Sequence, residues 1–192
     1  IMIDSLVQFL PVIKSSNIFS RLAVLKKEYI LVTFHRPSNV DSEKILVQLC
    51  WLLNKLSEKK QVVFPVHPRT RKNLENTGLI NTLNPKIILS EPIGYIDFLA
   101  LVMEAALVIT DSGGIQEETT FLGVPCITVR NNTERPVTVK VGTNKLIGTD
   151  FKKVLEAAGK VLGGKKPTGS VPELWDGHTA ERIVEILKYK LG

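Results

Sequence analysis

Histidine and cysteine are scarce in this 192-residue chain, which has three of the first and two of the second. His35, His67 and His178 stand apart, without His-x-x-x-His or Cys-x-x-Cys spacing, so the sequence spells no metal site, and neither metal nor cofactor is expected. Cys50 and Cys126 lie far apart in apolar surroundings and read as buried, reduced thiols. Long apolar runs are also missing: stretches such as Ala105 to Thr110 are strand-sized, too short for a membrane-spanning helix. The opening residues show no basic leader or small-residue cleavage site, so a cytoplasmic protein without a signal peptide is expected. Neither Gly-x-x-x-x-Gly-Lys-Ser/Thr nor Gly-x-Gly-x-x-Gly occurs, which removes a P-loop NTPase and the usual NAD fingerprint.

What is present suits an ordinary globular domain: 44% hydrophobic and 23% charged residues, with a net charge of +6. The positive excess fits an anionic partner. Nucleic-acid binding would need basic residues gathered on one face and interleaved with aromatics. Aromatics are only 6%, and the basic groups (Lys26-Lys27, Lys59-Lys60, Arg69 to Lys72, Lys165-Lys166) are scattered. The charge therefore only tilts the reading towards an anionic ligand, and neither nucleic acid nor membrane is expected as a partner.

Near-continuous apolar runs at 29–34, 61–66, 86–90, 107–110, 125–129 and 145–148 predict parallel strands covered on both faces. Helical patterns at 42–58, 68–77, 95–105 and 114–122 alternate with them, followed by a short helix after Pro136 and helices at 150–162 and 178–191. Such alternation predicts an α/β fold, a doubly wound Rossmann-like sheet with helices on both faces. Residues 29–162 read as the nucleotide-binding domain and 163–192 as a linker and final helix. Residues 1–28 read as a helical lead-in, interrupted at Pro11, from a domain upstream.

Three segments could carry chemistry. In Thr110-Asp111-Ser112-Gly113-Gly114 a strand runs into glycines that open a helix. Bare backbone, unusual φ values, unpaired helix N–H groups and the helix dipole would together suit a phosphate. Equally, Ser112 could cap the helix and the glycines form a turn; a nucleophilic Ser112 is disfavoured because Gly-x-Ser-x-Gly is absent. Glu117 and Glu118 could simply favour the dipole, or Glu118 could accept from ribose hydroxyls. His35 and Arg36 follow the first strand; they could contact a phosphate or be strand-end and solvated residues. With strand order 3-2-1-4-5-6, His35-Arg36 and Ser112-Gly113-Gly114 would meet at the topological switch point. Arg135, ahead of Pro136, could bind ligand or pair with Glu134. His67 reads as structural.

These segments resemble the non-hydrolysing UDP-N-acetylglucosamine 2-epimerase family. The resemblance rests on Thr33 to Val40 (TFHRPSNV), Pro65 to Thr70 (PVHPRT), Pro92 to Phe98 (PIGYIDF), Thr110 to Glu118 (TDSGGIQEE), Asn132 to Pro136 (NTERP) and Val141 to Asp150 (VGTNKLIGTD). Ile1 to Leu6, Trp175 to Gly177 and Ala180 to Ile183 also fit, so it extends over nearly the whole chain. It implies one half of a GT-B-type, two-domain architecture in which this half binds UDP. His35, Ser112, Gly113, Gly114 and Arg135 would contact the diphosphate, Glu118 the ribose, and Phe98 and the backbone near Ile93 the uracil. The implied reaction eliminates UDP to 2-acetamidoglucal and re-adds it with C2 inverted, without nicotinamide or metal, His35 and Arg135 assisting. Many members carry Glu where this chain has Ser38, which leaves the exact sugar open. The family's carboxylates acting at C2 and C3 belong to the N-terminal domain, so this chain is expected to be catalytically incomplete by itself, and a homodimer when full length. A GT-B glycosyltransferase domain and a non-catalytic nucleotide-sugar-binding module are the competing readings.

Overall fold

The computed structural model describes residues 1–165 and 167–191; Lys166, part of the Lys165-Lys166 pair, and Gly192 lie outside the described residues. The chain opens with helices α1 (Met2–Lys14) and α2 (Ile18–Arg21), then enters strand β1 (Tyr29–Thr33). Helices α3 (Pro37–Val40) and α4 (Glu43–Ser57) lead to β2 (Gln61–Pro65), then α5 (Pro68–Asn76), a 3-10 turn at Leu79–Thr82 and β3 (Ile87–Ser90). After α6 (Tyr95–Met103) come β4 (Leu107–Thr110), α7 (Gly113–Phe121), β5 (Cys126–Thr128), α8 (Pro136–Lys140) and β6 (Asn144–Leu146). Helices α9 (Phe151–Leu162) and α10 (Thr179–Leu191) close the described chain.

All neighbouring strands are parallel, and their order is β3-β2-β1-β4-β5-β6, as the sequence predicts. Side chains alternate across a strand, so β1 feeds two cores. Ile30 and Val32 pack with α4 and α9 residues such as Leu53 and Val154 on one face, while Tyr29 and Leu31 pack with Leu6, Ile13 and Leu101 on the other. The Tyr29 hydroxyl donates to the Leu101 carbonyl at 2.5 Å, so the one polar atom of that buried ring is satisfied. The opening segment is thus part of the second core: α1 lies on α6 and α7. Pro11 does not interrupt it. Helix α1 runs through Pro11 to Lys14, its buried side held by Ile3, Leu6 and Ile13. Burial of those side chains outweighs one lost backbone hydrogen bond.

Helix ends follow local rules. Ser42 caps α4 by accepting from Ile45 N, and Asp150 caps α9 by accepting from Lys152 N and Lys153 N. His67 does the same for α5, its Nδ1 accepting from Arg69 N at 3.2 Å, which fits the structural role read from sequence. Strand β6 starts one residue earlier and ends two residues earlier than expected; Asn144 is a strand residue, its amide buried in a polar network. Segment 167–170 packs on the turn that follows α8: Ser170 N donates to the Val141 carbonyl, and a Cβ on Gly169 would collide with Gly142 backbone at 2.4 Å. Cys50 and Cys126 are buried and unbonded, burial pushing their thiols up to about 11 and about 12. None of the α10 residues is buried, but Asp4 Oδ2 accepts from Ala180 N at 2.7 Å and ties its first turn to α1. Among the described residues no helix is long and apolar enough to cross a membrane.

Leu31 is fully buried at the centre of the sheet. Leu31→Ala should destabilise the fold by about 2–5 kcal/mol, through lost transfer energy plus a cavity. Chemical denaturation would measure this, and a loss below about 1 kcal/mol would contradict the core described here.

Candidate functional site

The crevice forms where the sheet order reverses, between the carboxyl ends of β1 and β4. Thr33 and Thr110 stand in register there, their hydroxyls 2.7 Å apart, and Thr110 Oγ1 also accepts from Ser112 N at 3.0 Å. This small clasp sets the angle at which the chain leaves β4 for α7. One residue on, the side chain of Asp111 turns inward and is fully buried. Its carboxylate accepts from His35 Nδ1 at 2.8 Å, from His35 N at 3.3 and 3.2 Å, from Arg36 N at 3.0 Å and from Asn39 Nδ2 at 3.0 Å. Asn39, itself buried, donates from the same nitrogen to the Val129 carbonyl at 3.3 Å. The ends of β1, β4 and β5 are therefore joined through one carboxylate and one amide.

Opposing effects set the charge of Asp111. Burial raises its pKa, but the His35, Asn39 and Arg36 hydrogen bonds together outweigh burial and hold it below the usual carboxylate range. His35 is shifted the other way: the Asp111 hydrogen bond raises its pKa against partial burial and the nearby charges of Arg36 and Arg130. A cation at His35 and an anion at Asp111 support each other.

Helix α7 points its N-terminus at this place. Ser112 occupies the N-cap position, yet its side chain makes no capping hydrogen bond, so the capping reading fails and the hydroxyl is unused. Gly113 and Gly114 have none of the positive φ values that the sequence allowed for; they are the first helical residues. Their contribution is bare surface. A Cβ on Gly114 would come within 3.0 Å of Met2 Cε, and one on Gly113 would lie 3.7 Å from Glu134 Oε2. Farther along α7, Gln116 Nε2 donates to the Ser112 carbonyl at 3.0 Å, while Gln116 Oε1 accepts from Thr133 Oγ1 at 2.6 Å and from Asn144 Nδ2 at 3.2 Å. Thr133 Oγ1 in turn accepts from Arg135 N at 2.9 Å. That buried network hangs the 131–135 loop beside the helix N-terminus.

Of the two roles the sequence left open for Arg135, ligand binding or a pair with Glu134, the pair is not formed. Glu134 pairs with Arg130, not with Arg135: Arg130 Nη1 and Nη2 reach its two carboxylate oxygens at 2.7 and 2.6 Å. This bidentate pair, with support from the Arg36 charge, lowers Glu134 to about 2. Arg135 instead sets its Nε 2.9 Å from Glu117 Oε1, with Nη1 donating to the Glu134 carbonyl at 3.2 Å. Arg36 Nε donates to the Asp111 carbonyl at 3.1 Å, so its guanidinium presents only the remaining N–H groups to a ligand. Sequence reasoning assigned no role to Asp111, Asn39 or Arg130. Their partners are far along the chain, and only the i,i+4 spacing of Arg130 and Glu134 left a trace.

On the side towards β2 and β3 lies a cleft of about 210 Å³, whose walls include His35, Ile93, Phe98, Pro65, His67 and Pro92. Three sequence-selected residues, His35, Ile93 and Phe98, therefore share one cleft. Glu118 is 4% exposed and hydrogen-bonded by the Tyr95 hydroxyl. Burial, aided by the Glu117 charge, raises it from 4.5 to about 7 against that hydrogen bond. Among the described residues no three His, Cys, Asp or Glu side chains gather to hold a metal ion.

A family model described as UDP-N-acetylglucosamine 2-epimerase matches residues 1–188. The chain belongs to this family. The UDP-N-acetylglucosamine 2-epimerase of Methanocaldococcus jannaschii is 41% identical over 194 residues, 97% of this chain and 52% of the relative. That of Methanococcus maripaludis is 40% identical over 192 residues, 96% of this chain and 52% of the relative. A Pseudomonas aeruginosa relative named UDP-2,3-diacetamido-2,3-dideoxy-D-glucuronate 2-epimerase is 38% identical over 161 residues, 83% of this chain and 44% of the relative. Among solved structures, the M. jannaschii epimerase in complex with UDP-GlcNAc and UDP superposes with a TM-score of 0.85 at 40% identity, over 98% of this chain and 53% of that one. The Neisseria meningitidis epimerase bound to UDP-GlcNAc gives a TM-score of 0.83 at 28% identity, over 97% of this chain and 53% of that one. The chain spans about half the length of the curated relatives it matches.

Glu118 provides a test of this site's electrostatics. The folded chain keeps this proton up to about pH 7, whereas an unfolded Glu releases it near 4.5, so stability falls as pH rises between those values and levels off above them. Glu118→Gln removes the penalty. The variant should gain on the order of 2 kcal/mol more at pH 8 than at pH 5, relative to the unsubstituted chain. Thermal denaturation at the two pH values measures it, and an equal effect at both would mean that Glu118 is not held protonated.

Proposed function

We propose that this chain is the UDP-binding half of a UDP-N-acetylglucosamine 2-epimerase of the GT-B-type, two-domain kind. The observation that carries the reading is the convergence of an uncapped helix N-terminus, Ser112-Gly113-Gly114, with His35 across the switch point of the sheet. Unpaired helical N–H groups, the helix dipole and the cations of His35, Arg36 and Arg135 make a strongly anion-seeking pole. A diphosphate seated there would accept from Ser112 and from the Gly113 and Gly114 backbone. Glu118, one turn deeper, would receive the ribose hydroxyls; Phe98 and the Ile93 backbone would flank the uracil in the adjoining cleft.

In the reaction so read, UDP leaves the sugar to give 2-acetamidoglucal and returns after the C2 configuration has changed. The leaving diphosphate gains negative charge, and a preorganised cationic pole lowers that barrier directly. His35 and Arg135 assist at the diphosphate, Arg135 exchanging its Glu117 partner for the ligand. The carboxylates acting at C2 and C3 are assigned to the half of the relatives that this chain does not span. The substrate class is a UDP-linked 2-acetamido sugar. The chain is similar to relatives named for two different sugars, and this reading does not choose between them. The likeness to a spinosyn rhamnosyltransferase, at 17% identity and a TM-score of 0.57, is one of fold and does not favour a glycosyltransferase reading.

Calorimetric titration with UDP tests the proposal. The chain should bind UDP, and His35→Ala should weaken binding roughly 10- to 100-fold, the scale of one charge-assisted hydrogen bond. Glu118→Ala should weaken uridine nucleotides while leaving affinity for inorganic diphosphate largely unchanged. A folded chain indifferent to UDP would sink the assignment.

A further inference from the structure

The environment of Asp111 leads to a consequence for His35 that rests on the diphosphate reading above and deepens it. Every group facing the Asp111 carboxylate is a donor: His35 Nδ1 and N, Arg36 N and Asn39 Nδ2. A carboxylate held ionised only accepts, so the proton between it and the imidazole stays on Nδ1. Nε2 is the ring nitrogen left for the crevice, on a side chain 51% exposed. With Nδ1–H committed to Asp111, the neutral ring has only a lone pair at Nε2. The imidazolium alone has an N–H there. A diphosphate of a UDP-sugar has no proton to donate, so a neutral His35 would meet it lone pair to lone pair.

We propose that Asp111 is a positioning residue that makes diphosphate binding conditional on a proton: by holding Nδ1 as a donor, it lets His35 grip a phosphate oxygen through Nε2 only as the imidazolium. Asp111 never touches the ligand in this scheme. The charged groups facing His35 are Asp111 at the end of β4, Arg36 beside it and Arg130 after β5, with Glu134 paired to Arg130. The two arginines oppose charging of the ring and Asp111 favours it, with a net upward shift of the His35 pKa. Anion affinity should therefore be full at low pH and decline as pH rises through that raised value.

A buried aspartate used only to join strands would produce no such linkage. An asparagine at 111 separates the two roles. Its amide N–H would face Nδ1, which must then be the lone-pair nitrogen, leaving a neutral ring with Nε2–H towards the crevice. Binding would survive in weaker form, and its dependence on pH would vanish.

The test titrates the chain with UDP-N-acetylglucosamine, whose doubly esterified diphosphate takes up no proton between about pH 5.5 and 8.5, the interval in which imidazoles titrate. Calorimetry in two buffers of different ionisation enthalpy counts protons taken up. Both chains carry Glu118→Gln, so that no proton leaves that carboxyl when ribose binds; with Asp111 in place we expect proton uptake on binding, and affinity falling by up to about tenfold per pH unit above the His35 titration point. For Asp111→Asn we expect about tenfold weaker binding at low pH, a flat profile and no proton uptake. Nitrogen-15 spectra of the imidazole rings in the unsubstituted chain report the tautomer directly, should the variant fail to fold. Flat affinity without proton uptake in the Glu118→Gln chain that keeps Asp111, or a neutral His35 carrying its proton on Nε2, would overturn the proposal. Absence of any binding would tell against the nucleotide reading instead, and the ring spectra would then decide by themselves whether Asp111 holds Nδ1.

Discussion

A fully buried carboxylate at the end of a central strand is the constraint on which the rest of this site depends. Asp111 has no exposed surface, and an unpaired charge there would cost several kcal/mol. The fold meets that cost by bringing donors from the β1–α3 loop and from α3 itself, namely His35, Arg36 and Asn39. Satisfying the charge therefore fixes the course of the loop that carries His35. Removing any one donor leaves the others around an underpaired anion, and removing the anion orphans several donors at once. Stability and site geometry are coupled in the same few hydrogen bonds.

A second polar network does the same for the far wall. Asn144 lies in β6, yet its amide joins Thr128 on β5, Thr138 on α8 and Gln116 on α7. Gln116 also receives Thr133, whose hydroxyl holds the Arg135 backbone. Buried networks of this kind rigidify only when complete, because the low dielectric strengthens made bonds and penalises missing ones alike. Gly142 belongs to this wall: a Cβ there would sit 2.4 Å from Thr120 Cγ2, so α7 and the turn before β6 can approach only through glycine.

The sequence made some of this legible and hid the rest for physical reasons. Strands covered on both faces leave unbroken apolar runs, and alternation with helices then constrains topology, which is why the order β3-β2-β1-β4-β5-β6 and the meeting of His35 with Ser112 could be expected. Polar burial leaves no such signature. Asn144 read as a loop residue because its partners lie on other elements, so β6 came out shifted. Pro11 read as a break because sequence shows its missing N–H and not the core contacts that hold α1 across it. Asp111 went unremarked because its donors are more than seventy residues upstream. Glu134 was weighed against its neighbour Arg135, while the loop geometry gave it to Arg130, four residues before.

Asp111 precedes α7 and Glu118 lies within it, both buried, and their environments set them to opposite charge states. Four protein donor groups surround Asp111 and overcome burial, so it stays ionised without a ligand. For Glu118 the hydrogen bond from Tyr95 falls short of offsetting burial and the Glu117 charge, and it holds a proton to about pH 7. The difference is one of supply. Where the protein furnishes every donor, the group serves structure and shapes a neighbour; where donors are lacking, a ligand can furnish them. On the proposed reading, two ribose hydroxyls would complete the shell of Glu118 and favour its ionised form, so nucleotide binding would offset the burial penalty on that carboxyl. A buried carboxyl left short of donors thus points to ligand hydroxyls, and a carboxyl with all its donors points to the residue it holds.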